Sequence, residues 1–278
     1  MLEIYKFTSM TSPCEIQIYS NNKQNADNCA KDILLECKRL EDKYNFYDKL
    51  SYLSSLNKRD TNTLDNESKV LLQRAKQYYK KTNKIFDITL NTFKSAKEYK
   101  SIKEYLNMKD KLQAYIGCEH FEIKKNKLYF DNEFTKIDLG GFVKEYSVDQ
   151  ALKIIKKYKI NSALINFGGD IYAHGLKLNN QKFKISITNP LKSNETLFDL
   201  EICNEALTTS ASYERNIILE DKKISHILNI NESRDILSAT VISSSCVQAG
   251  VYSTALMSKN IECPHKKVLI NNKLELIT

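Results

Sequence analysis

Residues 137–152 read IDLGGFVKEYSVDQAL, and residues 163–175 read ALINFGGDIYAHG. Each stretch carries a glycine doublet after apolar residues, Gly140-Gly141 in the first and Gly168-Gly169 in the second. The whole chain has only 7 glycines in 278 residues, whereas ordinary proteins contain about 7% glycine. Backbone without a Cβ at a strand-to-helix turn lets a phosphate approach the amides that begin the helix. The doublets therefore indicate either a nucleotide phosphate site or a pair of tight turns. They do not match the GxGxxG pattern of a dinucleotide fold.

The segments around the doublets predict an α+β chain. A helix is expected over 143–158, between apolar strands at 137–139 and 162–167. Two hairpins are expected, one turning at Lys125-Asn126 and the other at Asp221-Lys222. Apolar spacing and alternation predict the remaining elements: a strand over 14–19, helices over 26–45, 67–82 (capped by Asn66) and 94–110, a strand over 239–245, a helix over 246–259, and two short strands within 267–278.

Composition excludes several classes of protein. Hydrophobic residues at 42% and charged residues at 27% are globular values. The net charge of +8 comes from scattered lysines that form no basic stripe, so we expect no nucleic-acid partner. No apolar run reaches the roughly 18 residues of a membrane span, and no secretory signal is recognisable, so no membrane insertion is expected. The 7 cysteines form no CxxC pair and are typical of reduced thiols, which favours the cytoplasm.

Eight segments, taken in order, resemble the ApbE family, the FAD:protein FMN transferases. They are TSMTSPCEIQIY (8–19), FYDKLSYLSSLN (46–57), IFDITLNTF (85–93), IDLGGFVKEYSVDQAL (137–152), ALINFGGDIYAHG (163–175), ALTTSASYER (206–215), SHILNI (225–230) and SATVISSSCVQAGVYSTAL (238–256). The resemblance implies one ApbE-like, T-fold-related α+β domain over residues 1–278. Mixed or antiparallel sheets, flanked by helices, would form a cleft for a flavin nucleotide.

The same resemblance implies an activity and a set of site residues. Members of the family bind FAD with a divalent metal, usually Mg, and move FMN onto a Thr or Ser hydroxyl of an acceptor protein, releasing AMP. The implied partners are therefore FAD and an acceptor flavoprotein. The expected cofactor-binding residues are Met10, Tyr47, Phe86, Asp87, Asp138, Lys144, Gly168, Gly169, Ser210, Tyr213 and His226.

Three of these residues have a chemical rationale and a plainer alternative. His226 is the expected general base because its unperturbed pKa lies near working pH, but it could equally be a strand histidine that packs. Lys144 follows Gly140 by four positions, a spacing that directs its ammonium toward a phosphate at the doublet, although most lysines face solvent. Asp138 could serve the ligand or cap the helix.

The departures from the family pattern concern the metal. The family has Asp where this chain has Gly250, and that Asp shares a helical face with the residue four positions later. Gly141, Ser253 and Thr254 remain as candidate metal ligands. Because Mg prefers hard anionic oxygens, we expect its binding to be weakened or absent. Gly250→Asp is expected to restore it at little cost in stability.

Other positions also depart from the family pattern. Glu145 stands where the family has Gly after Lys, and further changes occur at Ile88, Asn91, Thr92, Ala211, Ser212, Asn229 and Ile230. Three interpretations stay open: an FMN transferase, a non-catalytic flavin-binding or scaffold protein, and an FAD pyrophosphatase.

Overall fold

A computed structural model of the chain describes residues 1–92, 100–211, 216–219, 222–225 and 236–277. Its helices are α1 (Lys23–Tyr44), α2 (Tyr52–Lys58), α3 (Asn66–Lys81), α4 (Ile102–Leu112), α5 (Gly140–Lys157) and α6 (Cys246–Ser258), with short 3-10 turns at Leu90–Thr92, Gln113–Tyr115 and Cys118–His120. Its strands are β1 (Leu2–Ser9), β2 (Ser12–Tyr19), β3 (Phe121–Lys124), β4 (Lys127–Phe130), β5 (Ala163–Phe167), β6 (Asp170–His174), β7 (Phe183–Asn189), β8 (Lys192–Ile202), β9 (Glu205–Ala211), β10 (Asn216–Leu219), β11 (Lys222–Ser225), β12 (Ile236–Ser243), β13 (Lys266–Asn271) and β14 (Leu276–Ile277).

One large antiparallel sheet organises these elements. Its eight strands run in the order β1-β2-β5-β6-β9-β12-β13-β14. The hairpins β3–β4, β7–β8 and β10–β11 form separate two-stranded ladders. Every described strand pair is antiparallel, and helices accompany the large sheet. This combination confirms the expected α+β class.

The two faces of the large sheet carry different cores. Helices α1, α5 and α6 pack together on one face, where Ile16, Phe167 and Val247 are among the buried residues. The β7–β8 hairpin covers the other face with a smaller cluster that includes Phe183 and Leu207. Successive strand residues point to opposite faces, so each central strand contributes to both cores. This arrangement holds α5 and α6 directly above the strands β5, β6 and β9.

Five of the six described helices form where they are predicted, with corrected ends, and α2 is not among the predicted elements. In α1 the expected face, Ile33, Cys37, Leu40 and Tyr44, is buried. Asp65 caps α3 by accepting from the amide of Ser68 at 2.8 Å. The prediction that Asn66 is the cap is therefore wrong, because Asn66 is the first residue of the helix. Helix α4 begins at Ile102 after the cap Ser101, later than predicted, and residues 93–99 lie outside the described part of the chain.

Two predicted hairpin turns and one predicted strand compare differently with the structure. The hairpin turn at Lys125-Asn126 is confirmed. In the second hairpin Leu219 pairs with Lys222, so the predicted turn position at Asp221-Lys222 is wrong, because Lys222 belongs to β11. Residues 137–139 form no strand. The side chain of Asn57 takes the place of a neighbouring strand, accepting from the amide of Ile137 at 2.8 Å and donating to its carbonyl at 2.7 Å.

Candidate active site

The Gly168-Gly169 doublet forms the turn of the β5–β6 hairpin. Phe167 pairs with Asp170 across it, and the glycines have φ angles of +61° and +91°. A Cβ built on Gly168 would lie 2.8 Å from Cβ of Ser12, whereas one on Gly169 would meet nothing within 4 Å. Residues that carry a side chain rarely adopt these positive φ angles, so the backbone of the turn itself favours glycine at both positions. This doublet is a strand-to-strand turn and is followed by no helix.

Lys144 links the two doublets. It lies in the first turns of α5, and its Nζ is 2.6 Å from Oδ2 of Asp170, the residue directly after the second doublet. The same Nζ is 3.7 Å from the Cβ position of Gly168. The Asp170 side chain is only 4% exposed and that of Lys144 is 21% exposed, so water screens this ion pair weakly. Lys144 therefore lies at the second doublet, as well as one turn beyond the first.

Asp138 and Asn91 shape the backbone at the start of α5. Oδ1 of Asp138 accepts from the amide of Gly140 at 2.8 Å, and the side-chain amide of Asn91 donates to Oδ2. Gly141 departs from helical geometry with φ −84° and ψ 19°. A Cβ on Gly141 would meet nothing within 4 Å, so its backbone faces open space. Leu139 holds the N-cap position of α5 without a side-chain bond, and Asp138 binds the amide of the first helical residue from one position earlier, beside the open backbone of the first doublet. The role of Asp138 toward a ligand stays a prediction.

A cluster of hydroxyls joins α6 to β9. Oγ of Ser210 lies 2.9 Å from Oγ of Ser253 and 3.2 Å from Oγ1 of Thr254. Ser253 also donates to the carbonyl of Gly250 at 3.0 Å. The structure thus brings together one predicted cofactor-binding residue and two predicted metal ligands.

Asp149 fixes the position of α6 relative to α5. Its carboxylate accepts from the amide of Cys246 at 2.8 Å and from that of Val247 at 3.3 Å, at the first turn of α6. Burial raises the pKa of Asp149, and the two amide bonds oppose this rise. Burial is also the main cause that raises the pKa of the Cys246 thiol, and the charges of Asp170, Asp149 and Glu145 add to it. The thiol is fully buried, and its Sγ lies 3.5 Å from Oγ1 of Thr208 on β9.

Met10 lies in the β1–β2 turn next to the second doublet. Met10 and Thr11 have φ angles of +49° and +60°, and Ser9 pairs with Ser12 across them. Because Ser12 lies against Gly168, this turn and the β5–β6 turn are adjacent. Met10 is partly buried and packs on the core.

Three other predicted residues have their own surroundings in the structure. Tyr47 is 71% exposed and its ring contacts that of Phe46 at 5.4 Å between centroids. Phe86 is 6% exposed, inside the core, with its ring centroid 5.8 Å from that of Phe142. Oδ1 of Asp87 accepts from the amide and the hydroxyl of Thr89 at 2.8 and 2.7 Å, and burial raises the pKa of this carboxyl. Their roles as ligand-binding residues stay predictions. Tyr213 and His226 lie outside the described residues.

Several groups at the cluster carried no sequence signal of their own. Asp170 could have been found from its position directly after the second doublet. Ser12 and Asn91 lie far along the chain from Gly168 and Asp138, which they contact, and although Asn91 departs from the family pattern, no local pattern indicates either contact. Among the residues that the structure describes, no three His, Cys, Asp or Glu side chains are placed to hold a metal ion. A cation here would therefore rely on hydroxyl and carbonyl oxygens together with few carboxylates, a donor set that fits a hard ion such as Mg²⁺.

An α+β fold with an ammonium, hydroxyls and open glycine backbone at one end of its sheet is suited to a phosphorylated ligand. The ApbE family model matches residues 10–275, and the chain belongs to the ApbE family. The described helices include none that combines the length and the apolar character needed to cross a membrane.

Curated relatives carry a common name. The chain is 29% identical over 209 residues to the FAD:protein FMN transferase of Buchnera aphidicola subsp. Baizongia pistaciae, covering 70% of this chain and 61% of that protein. It is 24% identical over 157 residues to the FAD:protein FMN transferase of Escherichia coli K12, covering 53% of this chain and 45% of that protein. The matches thus span about half to three fifths of these relatives' own lengths.

Solved structures share the fold over nearly the whole chain. The ApbE protein from Thermotoga maritima has a TM-score of 0.87 at 21% identity, covering 100% of this chain and 96% of that one. The flavin transferase ApbE from Vibrio cholerae has a TM-score of 0.78 at 19% identity, covering 98% and 94%. The expected ApbE-like fold is confirmed.

Proposed function

We propose that this chain is an FAD:protein FMN transferase that moves FMN from FAD onto a Thr or Ser hydroxyl of an acceptor protein and releases AMP. The observation that carries the proposal is the meeting of Lys144 with the second glycine doublet, beside the open backbone of Gly141. Family membership and the names of the curated relatives support it.

The reaction makes specific demands on the site. The acceptor oxygen bonds to the phosphorus of the FMN half, the bond from that phosphorus to the bridging oxygen breaks, and AMP leaves with the bridging oxygen. Charge grows on the phosphoryl oxygens, so cationic groups and fixed donors lower the barrier. Lys144 supplies an ammonium whose position is fixed by Asp170. The exposed backbone of Gly141 offers a close approach for phosphate oxygens.

The hydroxyl proton requires a base, and His226 remains the predicted one. A bound Mg²⁺ would neutralise charge on the pyrophosphate. Thr254 and Ser253 would hold it through their hydroxyl oxygens, with the carbonyl of Gly141 as a further predicted ligand. A cytoplasmic location and an acceptor flavoprotein as partner belong to the same proposal.

The test uses a panel of peptides that carry Thr or Ser, each with a matched Val or Ala peptide. Incubation with FAD and Mg²⁺ should give AMP and covalent flavin fluorescence on hydroxyl-bearing peptides alone. AMP release that is equal with and without acceptor would indicate the pyrophosphatase. FAD binding with no AMP release on any peptide would indicate a flavin-binding scaffold.

A further inference from the structure

Two departures from the family pattern meet in the fold. Glu145 follows Lys144 on α5 and is 4% exposed, while Gly250 lies on α6. A Cβ built on Gly250 would lie 2.6 Å from Cγ and 2.8 Å from Oε1 of Glu145. Real Cβ atoms do not approach other heavy atoms so closely. The Glu145 carboxylate therefore occupies the space that a side chain at position 250 would fill.

That space borders the hydroxyl cluster. Gly250 precedes Thr254 by one helical turn, and side chains at this spacing are neighbours about 5–6 Å apart. Ser253 donates to the carbonyl of Gly250, and Ser210 contacts both Ser253 and Thr254. The carboxylate of Glu145, which belongs to α5, thus lies on the same side of α6 as a carboxylate at position 250 would.

We propose that Glu145 supplies the anionic oxygen ligand for a divalent cation, Mg²⁺ or Mn²⁺, in place of residue 250. Thr254 lies one helical turn after Gly250, so its hydroxyl is on the side of α6 that Glu145 contacts. The donor set fits a hard cation, which takes one or two carboxylates and completes its shell with phosphate oxygens and water. The inference deepens the proposed function and rests on it. It also changes the expectation that Mg²⁺ binding is weakened or lost.

The charge of the site favours this assignment. Glu145 is only 4% exposed, so water screens its charge weakly and a cation placed beside it would be strongly attracted. The adjacent pair of Lys144 and Asp170 holds its own opposite charges 2.6 Å apart. A divalent cation held by Glu145 would supply positive charge beside the hydroxyl cluster, as a reaction at a pyrophosphate requires.

The geometry also corrects the expectation for Gly250→Asp. This substitution would press its Cβ against Cγ of Glu145 and place two carboxylates in one buried space. Like charges so close disfavour ionisation of both groups. Gly250→Asp alone should therefore destabilise the fold. Combined with Glu145→Gly, it moves the carboxylate back to α6 and removes the obstruction.

Mn²⁺ binding, followed by the electron paramagnetic resonance signal of the free ion, tests the assignment without using activity. The full-length protein is titrated alone and with ADP, and Mg²⁺ competition shows that the two ions share the site. The native protein should bind one Mn²⁺, and Glu145→Gln should weaken binding at least tenfold. Glu36→Gln, which alters a partly exposed carboxylate on α1 paired with Arg39, is the matched control and should bind as the native protein does.

The double variant keeps the test decisive if Glu145→Gln folds poorly. Glu145→Gly/Gly250→Asp should regain Mn²⁺ affinity to within a few-fold of the native protein. Equal Mn²⁺ affinity in the native protein and Glu145→Gln would overturn the inference. So would a folded double variant that binds no Mn²⁺, or a native protein that binds none with or without ADP.

Failure of the inference is distinguishable from failure of the proposed function. If the native protein transfers FMN and Glu145→Gln keeps the same Mn²⁺ affinity, the function stands and the ligand assignment is wrong. If Mn²⁺ binds through Glu145 and FMN is never transferred, the assignment stands and the proposed function is wrong.

Discussion

The two glycine doublets look alike in the sequence and differ in the fold. Gly168-Gly169 occupy a hairpin turn at positive φ, and the Ser12 side chain lies against Gly168. Gly141, in the first doublet, has φ −84° and open space where a Cβ would lie. Backbone geometry thus accounts for the second doublet but does not require glycine at 141. A ligand that approaches the backbone of residue 141 would explain why glycine occurs at that position.

The largest expected effect comes from Gly168→Ala. Alanine at φ +61° is strained, and its Cβ would lie 2.8 Å from Cβ of Ser12. We expect unfolding free energy to fall by roughly 3 to 5 kcal/mol, the sum of backbone strain and overpacking. Urea unfolding followed by circular dichroism measures it. Adding Ser12→Gly should recover part of the loss, and no recovery would show that the contact with Ser12 is unimportant.

Lys144→Met should have the next largest effect, because Lys144 joins the doublets. Removing the ammonium 2.6 Å from Oδ2 of Asp170 should cost roughly 2 to 3 kcal/mol, less than for a fully buried pair since Lys144 is partly exposed. FAD affinity, measured by calorimetry, should also fall at least tenfold. The matched control Lys144→Arg keeps the charge and should retain most of the stability. An FAD affinity unchanged in Lys144→Met would remove Lys144 from the site.

Gly169→Ala isolates backbone strain from crowding. Its φ is +91° and a Cβ there would meet nothing within 4 Å, so only the strain remains. A loss of about 1 kcal/mol is expected in urea unfolding. Gly169→Asn should cost less, because Asn tolerates positive φ better. Equal losses for Gly168→Ala and Gly169→Ala would contradict the role given to Ser12.

Gly141→Ala should leave stability almost unchanged and act on the ligand. Its φ suits alanine and its Cβ would meet nothing, so the free energy of unfolding should change by less than about 1 kcal/mol. If a phosphate approaches this backbone, FAD affinity should fall by roughly tenfold, or about 1.4 kcal/mol. Parallel thermal unfolding and FAD titration separate the two effects. If FAD affinity is unchanged, the first doublet is not explained by a bound phosphate, just as the second doublet is explained by its turn alone.

Much of the fold could be predicted from local pattern. The α1 face from Ile33 to Tyr44 and the turn at Lys125-Asn126 follow from helical spacing and hairpin turn chemistry. The ordered motifs gave the family, and residues 1–278 as one domain remain a prediction. Strands β7 and β8 were not predicted, although the alternation in β7 appears as alternate burial in the structure.

The arrangement of the site was only partly predictable. Lys144, Ser210, Ser253 and Thr254 were selected from motif positions, and the fold brings the last three together. In the sequence, Glu145 and Gly250 are separate departures from the family pattern. Glu145 and Gly250 belong to two helices that are distant in the chain, so their contact could not be predicted from the local spacing of residues. Asp170 was missed for a similar reason, since its partner Lys144 belongs to another element.

An equilibrium titration of the native protein with FAD, with and without Mg²⁺, tests the central claim most directly. The claim is that α5, the β5–β6 turn and α6 form one site for this dinucleotide. We expect saturable binding of one FAD per chain at micromolar concentration or below, tightened by Mg²⁺. The absence of saturable binding of FAD at micromolar concentrations, in either condition, would contradict the claim.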